Sequence, residues 1–256
     1  MKIRVLGSHN TESSSSRLMS LLVDDVLALD AGGLTSGLSF AAQMKIKALL
    51  VTHPHYDHIR DIPLIAMNAY LRDKTINLYS TQPVHDALSA HLLNDSIYPN
   101  FFQKPPQKPV INFTLMQTGE SRDIEGYRVL TVPVIHAVPA VGYQITAPDG
   151  KSVFYTGDTG PGLSDCWHQV SPQLIIVEVT ASDRHQEFAR QSKHLTPALL
   201  EQELNEFQRL KGYVPEILAV HINPTEEKKI KAKMAVLAKS LKTSIKLATE
   251  GMVFRL

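Results

Sequence analysis

The segment Thr52-His53-Pro54-His55-Tyr56-Asp57-His58 places three imidazoles and a carboxylate within six residues, directly after the apolar run Ala48–Val51. On an extended chain, residues two apart point to the same side, so His53 and His55 can reach one ion. Asp57 and His58 fall where the chain is expected to turn into a helix over Ile59–Ala69, which aims them at a second ion close by. An aspartate inside a histidine cluster at a strand end has no evident packing purpose, which separates this segment from a histidine-rich surface turn. Three more residues of the same chemical kind close apolar runs: His136 after YRVLTVPVI, Asp158 after SVFYTG and His221 after EILAV. Singly they admit plainer readings, as a core imidazole, a turn aspartate and a polar residue before a helix. Together they match the habit of α/β folds, which gather ligand groups at strand ends on one rim of a sheet.

The composition narrows the chemistry. The 256 residues include 26 Lys+Arg, 25 Asp+Glu, 11 His and one Cys. A formal charge of +1 excludes a protein that grips nucleic acid by bulk electrostatics. The single cysteine, Cys166, excludes a disulfide framework, a Cys-rich zinc site and a dithiol redox motif, and beside Trp167 it reads as a small apolar filler. Any metal must therefore be held by nitrogen and oxygen, a set that suits zinc, with manganese or iron as alternatives. No run of about 18 apolar residues could span a membrane. The opening MKIRVLGSHN lacks a signal-peptide core, so cytoplasmic residence is expected.

The elements that must position these groups are mostly short strands. Apolar runs predict strands at Lys2–Gly7, Ile76–Tyr79, Arg128–Ile135, Tyr143–Thr146, Ser152–Thr156, Leu174–Val179, Ile217–His221, Ile245–Ala248 and Met252–Leu256. Two more runs across Ser20–Asp30, split by Asp24-Asp25, predict a hairpin. Leu38–Met44 is moderately helical. In Asn223–Lys242, Ile230, Met234, Leu237, Ala238 and Leu241 share one helical face, with Asn223 as N-cap and Pro224 in the first turn. Its lysines avoid that stripe and read as a solvated face. The serine-rich TESSSSR reads as a solvated loop. Residues 94–113, rich in proline, read as an irregular insertion. The expected architecture is one α/β domain over 1–256, a four-layer αββα sandwich.

H-x-H-x-D-H after a strand, followed by isolated His, Asp and His at later strand ends, resembles the metallo-β-lactamase-fold hydrolase superfamily. The resemblance runs from Leu29-Asp30-Ala31-Gly32 to the last strands. It implies that His53, His55 and His136 hold one divalent ion, that Asp57, His58 and His221 hold a second, and that Asp158 bridges them. Within the superfamily, His91-Leu92-Leu93-Asn94-Asp95-Ser96-Ile97-Tyr98-Pro99-Asn100, Gly157-Asp158-Thr159-Gly160-Pro161 and Lys193-His194-Leu195-Thr196-Pro197 are similar to class II cyclic-nucleotide phosphodiesterases. Leu93 and Tyr98 depart from that pattern, standing where Phe and Trp are common.

That resemblance implies hydrolysis of 3′,5′-cyclic nucleotides (cAMP or cGMP) to nucleoside 5′-monophosphates. Two ions about 3.5–4 Å apart can share a hydroxide that attacks phosphorus in line. It makes Asp57 and His194 the catalytic candidates: Asp57 also orienting the attacking group, and His194 donating to phosphate or to the leaving oxygen. Asn94, Tyr98, Thr159 and His194 become the substrate-binding candidates. Tyr98, Phe101 and Phe102 could stack a base or face a second subunit, which leaves a homodimer open. The implied partner is a small nucleotide, with no membrane and no stable nucleic-acid partner. Two alternatives stand beside this reading. One is a tRNA 3′-end processing endonuclease, which the near-neutral charge and lack of a long basic arm disfavour. The other is a non-catalytic, metal-stabilised binding protein. A lactonase or thioester hydrolase fits the motif surroundings less well.

Overall fold

The computed structural model describes all 256 residues. The first half of the chain builds β1 (Lys2–Gly7), β2 (Ser20–Val23), β3 (Leu27–Leu29), β4 (Ala48–Leu50), β5 (Ile76–Ser80) and β6 (Ile111–Leu115). The second half builds β7 (Ser121–Ile124), β8 (Tyr127–Pro133), β9 (Val141–Thr146), β10 (Ser152–Tyr155), β11 (Leu174–Glu178), β12 (Glu216–Val220), β13 (Ile245–Leu247) and β14 (Val253–Arg255). They form two seven-stranded sheets, ordered β14-β1-β2-β3-β4-β5-β6 and β13-β12-β11-β10-β9-β8-β7. The last strand thus returns to the edge of the first sheet.

Side-chain alternation explains the layers. On β4, Ala48 and Leu50 enter the core between the sheets, while Leu49 and Val51 enter a second core under the helices. On β11, Leu174 and Ile176 point inward, and Ile175 and Val177 point outward onto the other helical layer. Strands buried on both faces read as continuous apolar runs, which is how they appear in the sequence. The helices covering the first sheet are α1 (Phe40–Gln43), α2 (Tyr56–Ile59), α3 (Ile62–Tyr70) and α4 (Gln82–Ala87), the last continued by a π-helical turn to Leu92. The second sheet carries α5 (Ser164–Gln169), α6 (Gln186–Ser192), α7 (Pro197–Lys211) and α8 (Glu227–Leu241). The result is the expected four-layer αββα sandwich.

Four local expectations need correction. The helix after the histidine cluster begins at Tyr56 and breaks at Arg60-Asp61, because Pro63 cannot donate the next intrahelical bond and restarts it as α3. The C-terminal helix starts at Glu227 rather than at Asn223. The Asn223 side chain instead accepts from Thr225 N (3.0 Å), closing an Asx turn ahead of the helix. The irregular insertion ends at Val110, since Ile111–Leu115 pairs in parallel with β5. Strands β6 and β7 lie where no clear apolar alternation marks them.

One packing device bears directly on the site. The loop after Asp158 is tied down by Glu203 of α7, whose buried carboxylate accepts from Gly162 N (2.7 Å), Leu163 N (3.0 Å) and Trp167 Nε1 (3.2 Å). Trp167 in turn meets Phe154 and Phe207 edge-on. Glu203→Gln is expected to lower stability by about 2–3 kcal/mol, because it weakens three bonds to one buried acceptor. An unchanged urea midpoint would contradict this.

Candidate metal centre

The seven expected ligands come from both sheets and meet at one end of the sandwich. His53 and His55 lie on the loop leaving β4, and Asp57 and His58 on α2. His136, Asp158 and His221 follow β8, β10 and β12. One ligand atom each from His53, His55, His136 and Asp158 lies within 4.8 Å of the others, and so do those of Asp57, His58, Asp158 and His221. Asp158 belongs to both groups, as a bridging ligand requires.

Three atoms show that the cluster is built for something more than its own contacts. His53 Nε2, His58 Nε2 and Asp158 Oδ1 are buried without a hydrogen-bond partner. His58 Nε2 lies 3.2 Å from Asp158 Oδ1, yet lacks the alignment of a hydrogen bond. Each unpaired buried polar atom costs about 1–3 kcal/mol, so three at one point mark a place for a charged ligand. The donors are nitrogen and oxygen, which suits a divalent metal.

The outer nitrogens are already engaged, which fixes the direction of the inner ones. His58 Nδ1 meets Asp30 Oδ2 at 2.7 Å, and His53 Nδ1 meets Thr52 Oγ1 at 3.0 Å. His221 Nδ1 meets Thr180 Oγ1 at 2.8 Å, and His136 Nδ1 meets the Lys193 carbonyl at 3.1 Å. All four rings therefore turn Nε2 toward the centre. His55 alone presents Nδ1, 3.1 Å from His136 Nε2.

Charge follows from burial. Burial, then the neighbouring His58, pushes His53 well below the usual histidine range. Burial also lowers His55 and His136, leaving neutral rings with free lone pairs. For Asp158 burial opposes ionisation, but His221 and His58 hold its carboxyl well below the usual range. Burial likewise opposes a charge on His58, while Asp158 and Asp30 raise it well above normal. A field that favours a proton at that point favours a metal cation equally.

His194 stands beside this cluster. Its ring stacks on His221 at 5.5 Å with the planes 14° apart, and its Nδ1 lies 2.6 Å from Glu178 Oε1. Burial works against its charge, but the Glu178 carboxylate raises its pKa to about 9. Nδ1 is the nitrogen engaged by Glu178 and Thr180, which leaves Nε2 as the one available to a substrate.

Asp30 and Glu178 are functional residues that sequence reasoning missed. Asp30 is fully buried and accepts from Thr52 N (2.8 Å), Thr52 Oγ1 (2.9 Å), His58 Nδ1 (2.7 Å) and Tyr155 OH (2.7 Å). Glu178 accepts from Thr159 N, Thr180 N, Thr180 Oγ1, His194 Nδ1 and Leu195 N. The available signal was an acid closing an otherwise apolar strand, in VLALD and LIIVE. Such an acid must be satisfied from elsewhere in the chain. Glu178→Gln removes the anchor of His194, so turnover should fall about 10–100-fold with metal content retained. The acid form of His194 is the donor, so activity is lost as pH rises through its pKa. The alkaline limb should therefore move from about 9 toward the ordinary 6.5 in the variant. An unmoved limb would show that His194 acts without Glu178.

The other expected substrate-binding residues have local partners. Asn94 donates to Ala90 O and accepts from Ser96 N and Ile97 N, so its carboxamide builds its own loop. Tyr98 packs on Phe101, which is itself core, and Phe102 lies against His85 and Phe113. The insertion folds its aromatics onto the outer face of the first sheet, because that apolar surface lies beneath them. Thr159 does sit at the centre, but its hydroxyl bonds Ile135 N (3.2 Å). Cys166 is buried and its thiol is pushed up by that burial, as a packing residue's would be.

Comparison with known proteins adds an independent line. The family model described as the beta-lactamase superfamily domain matches residues 33–222. Ribonuclease Z of Pyrococcus furiosus is 29% identical over 114 residues, which is 43% of this chain and 34% of that protein. The match thus spans about a third of that curated relative's length. Unliganded yeast PDE1 superposes with a TM-score of 0.87 at 16% identity, covering 100% of this chain and 99% of that one. Human tRNase Z, short form, superposes with a TM-score of 0.71 at 19% identity, covering 100% and 99%. At these identities the superpositions speak for the fold alone. No helix is long and apolar enough to cross a membrane.

Proposed function

The chain belongs to the beta-lactamase superfamily, and from that membership we propose that it is a metal-dependent phosphodiesterase. The observation that carries the reading is the pairing of a seven-residue His/Asp cluster with His194, whose Nδ1 lies 2.6 Å from the Glu178 carboxylate. A lone ligand set suits many hydrolyses. A fixed imidazolium beside it suits a reaction whose leaving group is an alkoxide that needs a proton.

His53, His55, His136 and Asp158 would hold one ion, and Asp57, His58, Asp158 and His221 the other, with zinc favoured over manganese or iron. When bound, such a pair supplies Lewis-acid stabilisation of phosphoryl oxygens and activation of water for in-line displacement. The chain supplies the rest. His194 Nε2–H donates to the departing oxygen, and Glu178 holds the ring and steadies its charge. The Asp57 carboxylate, a quarter exposed where the other carboxylate is buried, can orient the incoming water.

For the substrate, the ribonuclease Z relatives favour RNA 3′-end processing over the cyclic-nucleotide reading, with RNA as a transient substrate rather than a stable partner. One observation keeps the cyclic-nucleotide reading alongside it. Two of the three segments that carry that resemblance pack together beside the cluster, where a Cβ on Gly160 would come within 2.9 Å of Lys193 Cα. The test is metal analysis combined with a panel of pre-tRNA, cAMP, cGMP and a chromogenic diester, before and after chelation. Metal-dependent cleavage of a diester is expected, and which member is cleaved best chooses the substrate. Two bound ions with no diester turned over would replace this reading with that of a metal-stabilised binding protein.

A further inference from the structure

A cleft of about 480 Å³ opens beside His136. Its wall is the stretch Pro133–Val141, in which Ala137, Val138 and Pro139 form the loop between β8 and β9. Thr81 and Pro83 face it from the start of α4, Thr118 joins them from the β6–β7 loop, and Lys193 closes one side. The loop is held firmly against the metal centre. Val141 N donates to Thr52 O at 3.1 Å, and Gly160 N donates to Ile135 O.

Three features define what would fit. The lining is mostly apolar, so it accepts a flat or greasy group and disfavours a free anion in its depth. Thr81 Oγ1 is buried and without a hydrogen-bond partner, so polar capacity at the wall is unspent. Lys193 is exposed at the side next to His136, and its carbonyl, not its ammonium, does the work of orienting that ring. Lys193 is held in the left-handed region at φ 56°, where a non-glycine residue costs about 1–3 kcal/mol. A backbone fixed in that state keeps both the carbonyl on His136 and the side chain at the cleft.

Resting on the phosphodiesterase reading, we propose that this cleft binds one nucleoside attached to the scissile phosphate, with Lys193 on an anionic phosphate oxygen. The size falls within the range for small-molecule sites, about 300–1,000 Å³, and suits a single base and sugar rather than a length of polynucleotide. Base recognition would come from the apolar wall and the exposed Thr118 at its edge.

Two measurements test it. In the first, AMP and ribose 5-phosphate are titrated into metal-free protein, so the comparison isolates the base. AMP is expected to bind about 10-fold tighter or more, and Val138→Trp, which fills the cleft from a half-buried loop position, should abolish the difference. Equal binding of the two ligands, or a preference that survives in V138W, overturns the proposal. In the second, steady-state kinetics of the metal-loaded enzyme should show V138W raising KM for the nucleotide substrate about 10-fold with kcat and metal content nearly unchanged. Lys193→Gln should raise KM for every diester. A V138W enzyme with wild-type KM also overturns the cleft. A wild-type enzyme that cleaves no diester overturns the phosphodiesterase reading instead, and the AMP comparison then decides the cleft by itself.

Discussion

Asp158→Asn should leave a folded protein that holds fewer than two metal ions and has lost at least about 10³-fold in diester turnover, a barrier increase of ~4 kcal/mol. The size of the effect follows from position. Asp158 Oδ2 lies 3.6 Å from His53, 3.9 Å from His136 and 3.3 Å from His221, and Oδ1 lies 3.2 Å from His58. No other residue reaches both ligand groups. The amide has nearly the same shape but carries no charge and offers a single acceptor oxygen. It cannot bridge, and it cannot offset two dications in a site almost closed to water. Metal analysis by mass spectrometry, circular dichroism and a chromogenic diester assay together check this. Full metal content and wild-type turnover in the variant would remove Asp158 from the bridge.

Asp30→Ala should cost about 3–5 kcal/mol of stability and weaken metal affinity about 10–100-fold. Asp30 touches no ion, and its effect runs through what it holds. Four donors converge on its buried carboxylate: the Thr52 amide and hydroxyl, the His58 imidazole and the Tyr155 phenol. Removing it strands all four in a dry interior and frees His58 to rotate. His58 is held directly, whereas His53 of the other ligand group is reached only through Thr52 Oγ1, so affinity should fall more at one of the two ions than at the other. Chelator competition would show two classes of site where the wild type shows a tighter pair, and urea denaturation of the metal-free form gives the stability loss. Equal weakening at both ions would mean that Asp30 acts through general loosening rather than through His58.

The seven candidate ligands stood out because their types are rare at strand ends and their spacing has a geometric meaning, and the fold gathers them at one point. His194 was legible through its place before a helix N-cap, and Thr196 does cap α7. The role of the aromatic insertion was not legible, because an aromatic cluster has the same composition whether it stacks a base or covers a sheet. Asn94 and Tyr98 were assigned to substrate on motif likeness, while the structure gives their side chains local partners. Strands β6 and β7 were missed since they are half-exposed and polar, as Ser121–Ile124 illustrates.

By itself, the sequence determined the donor chemistry open to a metal, the strand-rich four-layer architecture and the candidate ligands that the fold brings together. One cysteine and eleven histidines leave nitrogen and oxygen as the means of holding a metal. Only the tertiary structure decided who holds the ligands in place. Asp30 lies 28 residues from His58, and Glu178 lies 16 from His194. Those pairs form when strands β3 and β4, and β11 with the loop after it, are brought side by side. Nor does local pattern announce the left-handed backbone at Asp30 (φ 55°), Lys193 (φ 56°) and His221 (φ 57°). Aspartate and histidine enter that region more readily than lysine, but it remains uncommon for all three. It persists because the packed sheets and the buried hydrogen bonds outweigh its cost.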